Sequence, residues 1–255
     1  MTNPEFTKIA TEIILEMFSP LGFKNENDCA FGRHREQLWD GFGLHLDLDH
    51  SVIGFRVPIG VNVPAVWKYA DFNNQKHYAS SLLWDHVGPF QNEAHTVRHR
   101  LYYFTDESEL RVVIQRMLGD FLEQALPWFQ QFQTIEDVTA EFYRRRIEET
   151  KERRKLYGPR PPDPFGWALF GWLLEESDRR DEAVPWFRRA YDYVSPSRFI
   201  DPLGRFVKED AKGSRFYPQS EAERRLLELL RQSLKFPIPE AYSGLRRYET
   251  EDLVC

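Results

Sequence analysis

The chain has 255 residues, 42% of them apolar and 29% charged, with a formal charge of -6. This composition excludes wholesale disorder and the strongly basic surface that non-specific nucleic-acid binding needs. Two cysteines, Cys29 and Cys255, cannot build a disulfide framework, and no apolar run reaches the ~20 residues of a membrane-spanning helix, so a cytoplasmic protein is expected.

Residues 3–19 read as a helix. Asn3 can cap it, Pro4 suits its first turn, and Phe6, Ile9, Ile13 and Met17 recur at helical spacing. Glu5, Lys8, Glu12 and Glu16 within it are foreign to a secretory signal. Pro20 and Gly22 end it, and Phe23 begins extended chain. A strand is expected around residues 30–34. The clearest strand signal follows: Phe42, Leu44, Leu46 and Leu48 alternate with Gly43, His45, Asp47 and Asp49, and the alternation resumes with Ile53, Phe55, Val57, Ile59 and Val61. Pairing Leu48 with Ile53 keeps every apolar residue of this hairpin on one face. It directs Leu46 and Phe55 inward, and His45 and Arg56, opposite each other, outward.

Residues 64–94 read as irregular and partly helical, with a strand near residues 96–104. Asp106 and Glu109 form a capping box for a helix whose core stripe is Leu110, Val113, Met117, Phe121 and Ala125, with Pro127 kinking it. A charged helix over residues 135–155 is supported by Glu141–Arg145 and Glu149–Arg153 spacing. The run Gly158 to Pro164, with four prolines, marks a boundary between residues 1–158 and 159–255. Beyond it the pattern predicts two short helices within residues 165–194. A turn at Asp201-Pro202-Leu203-Gly204 follows, then a last helix at 220–235 capped by Ser220 and Glu223 with Leu226, Leu227, Leu230 and Leu234 inward, and a strap-like tail after Pro237. The fold class expected is α+β: an antiparallel sheet with flanking helices, then an α-helical C-terminal part.

Two resemblances accompany this reading. Ser19-Pro20-Leu21-Gly22-Phe23-Lys24 after the first helix, the hairpin, and Leu126-Pro127-Trp128-Phe129 resemble the bacterial domain-of-unknown-function family number 4304 over about residues 1–145. That resemblance implies a helix-plus-sheet fold and transfers no catalytic residue. Trp167, Phe170, Gly171, Leu174, Ala183, Phe187 and Ala190 are similar to the spaced positions of one tetratricopeptide repeat. Phe170 and Leu174 stand where that family has Leu and Tyr, and Pro196 comes one place late. The small residues Gly171 and Ala183 are expected at close helix contact. No second copy follows, so the hairpin must cover its apolar faces elsewhere.

Motifs that fix a reaction are missing from the sequence. All seven histidines fall between His34 and His99. His45, Asp47 and Asp49 share a strand face at roughly 6.6 Å spacing, too wide to converge unaided on one metal; they read as a surface ion-pair patch or an acidic docking spot. His95 and His99 would chelate on a helix, but they alternate like a strand and stand roughly 13 Å apart there. Cys29 lies beside Asp28, which raises rather than lowers a thiol pKa. Neither a nucleophile elbow nor a phosphate-cradling glycine loop is present. The basic run of Arg144, Arg145, Arg146, Lys151, Arg153, Arg154 and Lys155 is interspersed with glutamates and reads as a solvated helix face.

The functional expectation is a non-enzymatic protein-binding module without a metal or cofactor, whose partner is another protein of basic character. Its sharpest form is a bacterial immunity protein that neutralises a toxin. Trp172, Glu175 and Glu176, off the packing stripe of their helix, and Asp47 and Asp49 are the expected partner-binding residues. The rival is a metal-dependent hydrolase using the His and Asp residues of the sheet; a third reading is a structural scaffold.

Overall fold

The computed structural model describes residues 3–27, 29–49, 52–70, 82–88, 90–93, 96–99, 102–148, 163–194, 215–218, 221–235 and 245–248. The chain divides into two compact units, residues 1–67 with 75–138 and residues 68–74 with 139–255. The α+β class is as expected, with an antiparallel sheet in the first unit and a helical second one.

The first unit opens with helix α1 (Asn3–Phe18), closed by Gly22 in the left-handed region at φ 87°. Strands β1 (Lys24–Asn27), β2 (Ala30–Arg35), β3 (Leu38–Gly43), β4 (His45–Asp49) and β5 (Val52–Asn62) follow. Helix α2 (Pro64–Ala70) comes next, then β6 (Leu83–Val87), β7 (Phe90–Glu93), β8 (Thr96–His99) and β9 (Tyr102–Phe104). The stretch read as irregular therefore holds α2, β6 and β7, and the single strand expected near 96–104 is two.

One register organises the sheet. β3 pairs with β5 from Trp39↔Asn62 to Phe42↔Ile59, and β4 pairs with β5 from His45↔Arg56 to Asp49↔Val52. The alignment is the same on both sides of Leu44, so β3 and β4 form one arm of a long hairpin. The pairs Leu48↔Ile53 and His45↔Arg56 are those the alternation predicts. The other edge of β5 is shared: β6 takes Val57 to Val61 and β9 takes Ile53 to Phe55. The chain between them forms the separate β7–β8 ribbon. On the far side β3 carries β2, which carries β1.

Phenylalanine fills the space under this sheet. Phe42 meets Phe18, Phe23, Phe31 and Phe121 at centroid distances of 4.9 to 5.2 Å, and Phe6 packs on Phe55 and Phe104. Helix α3 (Glu107–Asp120) is capped as its sequence predicts, Asp106 accepting from the Glu109 amide at 2.9 Å. Leu110 and Met117 on it, and Phe121 and Ala125 just beyond it, are buried as the pattern predicts; Ile114 is buried where Val113 was expected, and Val113 is only half-buried. The ladder widens to a π-turn over Phe121–Ala125 before α4 (Leu126–Phe129). Pro127, which has no amide to donate, sits in that disturbed stretch. Helix α5 (Ile135–Phe142) continues as a π-turn over Tyr143–Glu148; the expected continuation to residue 155 lies outside the described residues.

The division between units falls inside α5, because Phe142 and Tyr143 pack on Phe170. The second unit then builds α6 (Pro164–Glu176), α7 (Arg180–Val194) and α8 (Glu221–Leu234). Asp163 caps α6 by accepting from the Gly166 amide at 2.9 Å. Its last turn closes when Arg179 donates its amide to the Leu174 carbonyl at 2.8 Å, with Asp178 at φ 58° between them. The tail read as a strap contributes β11 (Leu245–Tyr248), which pairs with β10 (Arg215–Pro218). The turn expected at residues 201–204 lies outside the described residues.

Gly171 sits against the ring of Phe187. A Cβ at Gly171 would stand 2.5 Å from Phe187 Cε1 and 2.7 Å from Cδ1. Phe187 is itself fully buried, so the ring has little room to yield. Gly171→Ala is expected to lower unfolding free energy by about 1–3 kcal/mol through overpacking. Urea denaturation of the full chain checks this, and an unchanged midpoint would mean the ring moves freely.

Candidate functional site

A cleft of about 860 Å³ opens where α1 meets the β4 end of the long hairpin. Helical spacing places Thr7 and Thr11, and Lys8 and Glu12, one turn apart on α1, and all four line it. Asn25 and Cys29 close one end, where β1 turns into β2. The hairpin contributes Leu44, His45, Leu46 and Arg56. The Cys29 thiol is buried and lies 3.9 Å from the Thr7 carbonyl, which fits a small core residue with a weak donor.

Backbone geometry gives this cleft its chemistry. Leu44 donates its amide to the Cys29 carbonyl at 2.9 Å, away from β5. Peptide groups alternate along a strand. His45, Asp47 and Asp49 therefore turn their amides and carbonyls to β5, while Leu46 and Leu48 turn theirs to the opposite side. β2 begins at Ala30 and ends its pairing at Gly43. Among the described residues, β4 is paired with β5 alone. The cleft runs beside that edge.

The best-organised polar cluster of this unit is one that sequence reading missed. Asp40 is fully buried on β3. It accepts from Arg33 Nε at 2.9 Å and from Arg35 Nη2 at 2.6 Å. Arg35 also donates to the Phe129 and Phe132 carbonyls, and Arg33 to the Leu21 carbonyl. The Arg33 guanidinium stands 4.9 Å from the Phe23 ring centroid. Burial pushes the Asp40 carboxyl above its ordinary range, against the pull of Arg35 and then Arg33. Two guanidiniums and one carboxylate leave excess positive charge, and three backbone carbonyls face it. This arrangement fastens the β2–β3 edge to the end of α4. Asp40→Ala strands two guanidiniums and is expected to cost about 3–5 kcal/mol. Replacing all three residues by apolar ones of similar volume should restore most of it; urea midpoints of both variants provide the check.

The residues expected to bind a partner are not gathered in one place. Trp172 is 1% exposed. It stacks on Tyr69 at 4.5 Å, meets Phe187 at 5.8 Å and donates from Nε1 to Ser233 Oγ at 3.0 Å. The expectation of a ligand-facing Trp172 is corrected: Tyr69 and Ser233 of α8 lie against the side of α6 that the repeat resemblance left open. Glu175 is half-buried and ion-paired with Arg180, and Glu176 is exposed. Asp47 and Asp49 stand on β4 opposite Gly54 and Val52; their side chains lie outside the described ones. His45 is exposed and Arg56 half-buried. His99 stands on β8 opposite Phe90, and His95 lies outside the described residues. Among the described residues, no three His, Cys, Asp or Glu are grouped to hold a metal. Arg144 and Arg145 both pair with Glu141, and residues 151–155 of the basic run lie outside the described ones.

No family model, curated protein or solved structure matches the chain. Its site is therefore argued from its own residues. Lys8, Glu12, Thr7 and Thr11 were legible only as the polar face of an amphipathic helix; nothing in their spacing announces a cleft. Two exposed aromatics also escaped: Trp84 on β6 and Tyr103 on β9, 49% and 55% exposed. They stand opposite Gly60 and Gly54, on one face of β5. No helix among the described residues is long and apolar enough to cross a membrane.

Proposed function

We propose that the chain is a non-enzymatic protein-binding module, and that its partner docks in the cleft between α1 and β4. The observation that carries this is the combination of an open cleft with a sheet edge beside it. A cleft of this kind offers mixed polar side chains and backbone groups, which recognise a chain better than they transform a small substrate. The lining is Thr7, Lys8, Thr11, Glu12, Asn25, His45 and Arg56 among apolar Phe6, Leu44 and Leu46. The sharpest form of the reading is a bacterial immunity protein that blocks a toxin by occupying it. The net charge of -6 suits a basic partner.

Affinity capture with the full chain from its cell of origin, identification of the captured protein and titration of that protein test the reading. Lys8→Glu with Glu12→Lys reverses two exposed charges on the cleft wall. The pair of changes should weaken binding at least ~10-fold, about 1.4 kcal/mol, with the fold unchanged. An affinity that ignores both charges would move the interface elsewhere. Stoichiometric metal with hydrolytic turnover in the purified chain would replace this reading by an enzyme.

A further inference from the structure

We propose that the cluster of Arg33, Arg35 and Asp40 is a binding site for one oxyanion, the carboxylate or phosphate group of a ligand, with Arg33 as the donor. These residues stand on β2 and β3 and are not among those lining the cleft, so the site is additional to protein binding there. Its basis is an unequal count of charges held in a fixed geometry. Arg33 and Arg35 bring two positive charges to one carboxylate, that of Asp40. The Leu21, Phe129 and Phe132 carbonyls also accept from the guanidiniums. A carbonyl carries no net charge, so one positive charge stays uncompensated within the cluster. The Arg33 and Arg35 side chains are 20% and 24% exposed, whereas that of Asp40 is fully buried. The charge that the cluster turns to solvent is therefore positive.

Donor geometry singles out Arg33. A guanidinium offers five N–H groups in a rigid fork. Arg33 donates from Nε to Asp40 at 2.9 Å and from Nη1 to the Leu21 carbonyl at 3.3 Å. Among the described residues, its Nη2 makes no hydrogen bond. Arg35 is more fully engaged. Its Nη1 donates to Phe132, its Nη2 to Asp40 and Phe129, and its Nε is buried. The Arg33 fork is also held in place. The Phe23 and Phe129 rings lie under it, 4.9 and 5.7 Å from the guanidinium carbon. An arginine fixed in this way has little rotamer freedom left to lose on binding. Partial burial also weakens the screening of its charge by water. A charge-assisted N–H···O⁻ bond is strongest under these two conditions.

The test follows the Arg33 side-chain N–H and backbone amide by NMR in the full chain, while sodium phosphate replaces sodium chloride at constant ionic strength. Both signals should move and saturate with a Kd of about 1–10 mM. A sodium acetate titration separates the two sources. Saturation by both anions means that a carboxylate suffices; saturation by phosphate alone means that the ligand carries a phosphate. Asp40→Asn keeps the side-chain shape and removes the negative charge, so it should tighten phosphate binding at least ~10-fold. Arg33→Lys keeps the charge and loses the fork, and should weaken binding at least ~10-fold at the residue 33 amide. Shifts that never saturate, or that appear equally at the exposed Arg188, would mean an adventitious ion only and would overturn the site. So would a folded Asp40→Asn chain that binds phosphate no more tightly than the parent. If Asp40→Asn does not fold, Arg33→Lys decides, and an affinity unchanged by it overturns the site.

Discussion

The continuous pairing of residues 39–49 with residues 52–62 is the constraint on which the rest of the first unit depends. A one-residue slip would carry Phe42, Leu44, Phe55, Val57, Ile59 and Val61 from the core to the opposite face. Those residues are at most 5% exposed, so burial alone fixes the register. The same register explains the edge. β2 accompanies this arm only as far as Gly43, and the Leu44 amide makes the last bond toward it. Beyond that point the arm continues as β4, where Leu46 is half-buried and, with His45, lines the cleft.

Two other devices hold this frame. The phenylalanine cluster supplies area: Phe6, Phe18, Phe23, Phe31, Phe42, Phe55, Phe104, Phe121 and Phe129 are all fully buried, each burying on the order of 2 kcal/mol of apolar surface. The Asp40 cluster supplies direction. Hydrophobic burial tolerates small displacements, whereas two guanidiniums bound to one carboxylate and to three named carbonyls do not. In the second unit the corresponding constraint is steric. Gly171 lets Phe187 close on α6, and Trp172 is then covered by Tyr69 and fixed by its bond to Ser233.

The hairpin was legible because alternation over two arms admits one pairing that keeps all apolar residues together. The caps were legible too, since Asp106 and Asp163 have a local chemistry independent of the rest of the chain. What escaped depended on contacts distant in sequence. Asp40 shares a strand face with Phe42 and Val61, and nothing local reveals that Arg33 and Arg35 on the neighbouring strand neutralise it there. Trp172 lies off the stripe that the repeat pattern directs at α7, and nothing local reveals that Tyr69 and Ser233 of α8 lie against it. The cleft was invisible for the same reason: Lys8 and Glu12 belong to it only because α1 meets the hairpin at β4. Asp47 and Asp49 were singled out from the sequence as an acidic docking spot, and the edge strand that carries them borders this cleft.

The open edge of β4 is defined by which of its peptide groups are paired. Amide hydrogen exchange of the free chain, resolved residue by residue by NMR, reads this directly. Amides of His45 and Asp47 should be protected to the same degree as those of their partners on β5, and the Leu44 amide likewise through Cys29. The amides of Leu46 and Leu48 should exchange faster by at least ~100-fold, since alternate groups of an edge strand face away from the ladder. Protection of Leu46 and Leu48 equal to that of His45 and Asp47 would show the edge already paired within the chain, and would contradict the account.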